Sequence, residues 1–232
     1  MIGVPEAVKQ VTATVAPYGY LRRLCDVLMV AAVFCGSLVS AAEFRVLDQQ
    51  GQPVANAVVS IPDTEPERVA PAQSVAVMDQ LDKRFEPHVL VVETGQAVAF
   101  PNSDNIRHHV YSFSKPNQFE IKLYSGRPSE PLQFQHAGVV VLGCNIHDQM
   151  KGYLYVVEGE IAAVSNAQGD VSLDRRPDWV YVWHPQLQRG TSARLKQPLD
   201  QQDDRGRWLI RLPITLNTGD APAASGFRNR FR

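Results

Sequence analysis

From residue 43 onward the chain is cut into short apolar and β-branched runs separated by Gly, Pro, Asn and Asp, and no window of about twelve residues carries a helical period. Strands are predicted at 44–47, 57–61, 74–78, 88–92, 97–100, 109–114, 119–124, 132–134, 139–143 and 153–157. Further strands are predicted at 162–164, 171–173, 179–183 and 208–212. Many short strands at this spacing imply an all-β chain built as a sandwich or barrel. The turn at 48–53 reads as joining the first two strands into a hairpin, Thr94-Gly95-Gln96 as a turn between two others, and the Pro-, Glu- and Ala-rich residues 63–72 as a linker.

The first 42 residues have a different character. Arg22 and Arg23 precede an apolar stretch at 27–39, which Ser40, Ala41 and Ala42 follow. A positive flank, a short apolar core and small residues make a secretory signal peptide, with cleavage expected after Ala41 or Ala42. The apolar core is short of the roughly 20 residues needed to span a bilayer, so no membrane span is expected in the mature chain. Export implies the periplasm. Of three cysteines, Cys25 and Cys35 would leave with the signal, and Cys144 would remain alone. A lone thiol in an oxidising compartment calls for deep burial, a metal or an intermolecular partner.

Cys144, His147 and Met150 are spaced three apart, between the predicted strands 139–143 and 153–157. A tight connection between antiparallel strands can turn all three toward one point. Thiolate, imidazole and thioether together form a soft, mixed donor set suited to copper. A structural zinc site would favour a second Cys or a carboxylate over the thioether. A trigonal site of two His and one Cys needs one more imidazole, and His108-His109 offers it upstream. Alternation puts these two on opposite faces of their strand, and periodicity alone does not say which face points inward. His108 is favoured and His109 stays open. His88 and His136 read as surface residues, and His184 as exposed or hydrogen-bonded.

Residues 78–157 resemble the blue-copper (cupredoxin) family of plastocyanin, amicyanin and pseudoazurin. The likeness lies in Val98-Ala99-Phe100-Pro101-Asn102 followed by His108-His109-Val110, and in Gly143-Cys144 with His147 and Met150 in C-x2-H-x2-M spacing, as in the short loop of amicyanin. The wording around His108 and Cys144 is also similar to bacterial exported proteins labelled methylamine utilisation proteins. The resemblance implies a Greek-key β-sandwich and one copper ion, Cu(I) or Cu(II), held by His108, Cys144, His147 and Met150. It further implies electron transfer without catalysis, with a c-type cytochrome or a periplasmic dehydrogenase as partner. Copper storage or delivery, and an interaction module with structural copper, are the competing readings. Asn102, Asn105 or Asn145 would tie the upstream His loop to the ligand loop, and His147 would be the ligand nearest solvent.

The flanks carry a second, looser likeness. Residues 46–54 with Ala57-Val58-Val59, and the later turn at 165–169 with Val180-Tyr181-Val182-Trp183, resemble transthyretin-like or carboxypeptidase-regulatory β-sandwiches. The expected organisation is therefore a signal peptide at 1–42 and a small sandwich from 43–64 plus 158–217. A copper domain at 70–157 is inserted between its strands, and a disordered tail follows at 218–232. The formal net charge is −1, from 23 Lys and Arg against 24 Asp and Glu mixed along the chain. That balance gives no electrostatic footprint for nucleic acid or an anionic membrane.

Overall fold

A computed structural model describes residues 41–64, 74–115, 117–128, 130–187 and 193–216. Nearly all of the expected signal peptide, most of the linker and the expected tail lie outside the described residues. Those described are all-β, and among them no helix is long and apolar enough to cross a membrane.

Two sheets are built only from strands that precede residue 63 or follow residue 159. β1 (Ala42–Leu47) lies between β14 (Asp170–Leu173) and β17 (Trp208–Arg211). The other sheet has the order β13 (Glu160–Val164), β2 (Val58–Pro62), β15 (Trp179–Trp183) and β16 (Leu195–Pro198). Alternation along β1 buries Phe44 and Val46, which join Val59, Ile61, Val180, Val182 and Ile210 in one apolar core.

The expected hairpin between the first two strands does not form. The turn at 48–53 is present, with the buried Asp48 carboxylate accepting the Gln50 and Gln52 N–H groups. Val54 N–H then returns to Val46 O. Beyond it Asn56 takes a left-handed φ of 63°, and the chain crosses to the other sheet. Asn tolerates that conformation better than other side chains do, so a turn signal followed by a second signal made a sheet-to-sheet crossover. Thr94-Gly95-Gln96 likewise forms its turn, but the strands on either side of it belong to different sheets.

Residues 74–157 supply a five-stranded sheet of order β6 (Val89–Glu93), β12 (His147–Val157), β11 (Gly138–Cys144), β8 (His108–Ser112) and β9 (Phe119–Tyr124). They also form a sheet of β10 (Leu132–Gln133), β7 (Ala97–Ala99) and β3 (Ala76–Val77), and a hairpin of β4 (Asp79–Leu81) and β5 (Arg84–Glu86). Alternation along β11 and along β12 from Met150 onward covers both faces of the large sheet. Val140, Leu142, Leu154 and Val156 face a core with Phe85, Val98, Phe100 and Phe134. Val139, Tyr155 and Val157 face the other way and pack with Val58 and Trp183. The ends of β8, β11 and β12 thus stand on a sheet fixed from both sides.

Candidate metal centre

β11 and β12 form a hairpin closed by the Asn145-Ile146 turn, in which Cys144 pairs directly with His147. Directly paired residues of an antiparallel ladder share a face. The spacing between Cys144 and His147 therefore places thiol and imidazole together. The next pair is Gly143 with Lys151, so Asp148, Gln149 and Met150 are an unpaired excursion of β12. Met150 keeps the face of Leu154 and Val156 by plain alternation, and the bulge is what brings His147, at odd spacing from them, onto the face of Cys144. Met150 is 1% exposed and belongs to the same core as Leu154 and Val156. β12 starts earlier than the strand predicted at 153–157, so the ligand run is a two-residue turn plus a bulged strand.

The upstream imidazole comes from β8, whose Val110 pairs with Cys144 and whose Tyr111 pairs with Gly143. His108, on the face of Val110, projects past the end of β11 and is wholly buried. Its Nδ1 is 3.6 Å from Cys144 Sγ, and His147 Nδ1 is 3.8 Å from the same sulfur. These three donor atoms all lie within 4.8 Å of one another. Two ligands at bonds of about 2.0–2.3 Å to a shared ion are separated by such distances, so the donor set fits a single metal ion. His147 is half-buried, whereas His108, Cys144 and Met150 are buried.

His109 stands on the opposite face, its Nε2 3.0 Å from Glu120 Oε1 without the alignment of a hydrogen bond. The Asn102 side chain ties the His loop to its own surroundings. Its Nδ2 donates to Ile106 O and Tyr124 O, both at 2.9 Å, and its Oδ1 accepts the Asp104 N–H. Asn105 and Asn145 are exposed. His136 is exposed, as expected, but His88 is half-buried with its ring edge-on to Tyr153. His184 is buried, and its Nε2 donates to Ala55 O.

Asp104 escapes a reading of the sequence. Its Oδ2 accepts from His108 Nε2 at 2.7 Å and from the Lys83 N–H at 2.9 Å, and its Oδ1 accepts from the Asp82 N–H at 2.7 Å. Burial pushes its carboxyl up, but the Lys83, His108 and Asp82 donors outweigh burial and hold it below the usual carboxylate range. A carboxylate four residues before a candidate ligand His was the available signal. In a loop that spacing has no fixed meaning. Below the site, Tyr124 is pushed up to about 12 by burial; its hydroxyl donates to Phe100 O and accepts from Gln80 Nε2.

No model of a known protein family matches the chain, and neither does any curated protein. Solved structures do. A copper-containing nitrite reductase from Thermus scotoductus aligns at 23% identity and a TM-score of 0.35, over 42% of this chain and 27% of the reductase. The alignment thus spans about a quarter of that enzyme. A purple cupredoxin from Nitrosopumilus maritimus aligns at 18% identity and a TM-score of 0.32, over 35% of this chain and 99% of its own. An amicyanin variant in the reduced state aligns at 22% identity and a TM-score of 0.33, over 42% of this chain and 98% of its own.

Proposed function

We propose that this chain is an exported one-electron carrier that holds a single copper ion with His108, Cys144 and His147, and with Met150 as the weak fourth ligand. The observation that carries the reading is the convergence of one cysteine sulfur and two imidazole nitrogens within 4.8 Å, at the end of a sheet packed on both faces. Copper, when bound, supplies the one-electron couple, and the mixed donor set lies between the preferences of Cu(I) and Cu(II).

The chain's own part is to hold those donors still. His108 is locked by burial and by Asp104, Cys144 by pairing with Val110, and Met150 by the core. A donor set that barely moves makes electron exchange fast, because little rearrangement accompanies it. The half-buried His147 beside Ile146, which is 50% exposed, is the end at which electrons enter and leave. The partner proposed is a periplasmic c-type cytochrome or dehydrogenase. In domain terms, residues 70–157 form the copper unit, inserted into a small β-sandwich of 43–64 and 158–217 and preceded by a signal peptide.

The test is repeated reduction and oxidation of the copper-loaded protein in the presence of a competing Cu(I) chelator. A carrier of electrons keeps its copper through many cycles. Release of the ion to the chelator within the first cycle would overturn the reading in favour of copper delivery.

A further inference from the structure

We infer that Asp104 is the positioning residue of this centre: it fixes the tautomer of His108 and favours the oxidised over the reduced state of an ion held there. The second half of this inference rests on the copper reading above; the first does not.

A neutral imidazole carries one N–H. An ionised carboxylate can only accept, so its 2.7 Å contact with His108 places the proton on Nε2 and leaves the Nδ1 lone pair facing Cys144 Sγ. His108 is wholly buried, and water cannot compete for either nitrogen. Asp104 is itself fixed. Asp82 and Lys83, with left-handed φ of 53° and 59°, turn two successive N–H groups onto its two oxygens, and the Asp104 N–H is held by Asn102. Successive amides in such a turn make a concave anion seat.

The seat is coupled to the ligand strand. The β4–β5 hairpin that supplies it also carries Phe85, whose ring lies against Gly152 between Met150 and Leu154. A Cβ at Gly152 would stand 2.6 Å from Phe85 Cβ. One hairpin therefore braces the upstream His through Asp104 and the Met150 strand through Phe85. A carboxylate hydrogen-bonded to a ligand imidazole raises its basicity, and the added negative charge favours the more positive ion.

The test uses the full chain with Asp104→Asn, which removes the charge and keeps the size, and Asp104→Glu as the conservative variant. Nitrogen-15 NMR of the His108 ring in copper-free protein reads the tautomer. Voltammetry after loading with copper(II) sulfate reads the potential. Wild type is expected to show a single Nε2–H tautomer, and Asp104→Asn a mixture. Losses from an outer partner of a metal ligand are about 10- to 100-fold in metal affinity. A tenfold loss confined to Cu(II) raises the potential by about 59 mV. Asp104→Glu should restore part of the wild-type potential. An unchanged tautomer and an unchanged potential in Asp104→Asn overturn the inference. If wild type takes up no copper, the carrier reading fails, while the imidazole spectrum still decides the role of Asp104.

Discussion

Replacing Gly143 with Ala tests how the ligand strand is packed from outside. Gly143 precedes Cys144 and pairs with Tyr111, whose ring lies over it. An added Cβ would stand 2.8 Å from Tyr111 Cζ, 2.9 Å from its Oη and 3.1 Å from Cε2. Carbon atoms in good contact sit about 3.5–4.0 Å apart, so the ring must retreat by close to 1 Å. Tyr111 is half-buried and can swing outward, giving up its contact with Phe113 at a 4.9 Å ring separation. The cost therefore falls at the low end of the roughly 1–3 kcal/mol seen for overpacking, about 1 kcal/mol. Once Tyr111 is Ala, the same change meets no ring and gains about 0.5 kcal/mol, because Gly inside a strand is conformationally costly. Urea unfolding of the four copper-free proteins in the cycle gives the coupling directly. The predicted sign of Gly143→Ala reverses between the two backgrounds, with a coupling of about 1.5 kcal/mol. An equal cost in both would refute the packing argument.

Two further outcomes follow from burial. Burial, helped by the charge of nearby His88, lowers the pKa of His184 to about 4 from its ordinary 6.5; stability is then complete above about pH 6.5 and falls by up to about 3 kcal/mol as pH drops toward 4. His184→Gln should flatten that limb of the denaturation-versus-pH curve, and a wild-type curve already flat from pH 7 to 4 would count against it. Leu154→Ala, at a wholly buried position of the sheet beneath the site, should cost about 2–5 kcal/mol in urea unfolding. A loss under 1 kcal/mol would mean that the core is not packed as described.

Much of the fold was legible because alternation and turn residues act locally. β9 and β15 have the limits expected of them, and the Asn166-Gly169 turn closes with Asn166 Oδ1 accepting the Gln168 and Asp170 N–H groups. Pairing was less legible. β1 and β2 look like a hairpin because a turn follows β1 at once, yet the sheet crossover at Asn56 depends on partners, β14 and β13, more than a hundred residues away. The β4–β5 hairpin was missed since Asp79-Gln80-Leu81 and Arg84-Phe85-Glu86 are mostly polar runs with a single buried side chain each. At the proposed metal centre, donor chemistry and the three-residue spacing pointed to Cys144, His147 and Met150. The choice between His108 and His109 needed the face of β8, which only its packing against β11 supplies. Asp104 depended on a loop conformation with no periodic signature.

The central claim is that His108, Cys144 and His147 bind one copper ion through the thiolate. Its most direct test is the visible and electron paramagnetic spectrum of the full chain after loading with copper(II), beside the same measurement on Cys144→Ser. One copper per chain, an intense thiolate-to-copper absorption that bleaches on one-electron reduction, and loss of that band in Cys144→Ser are expected. Colour and copper content that survive Cys144→Ser would contradict the claim.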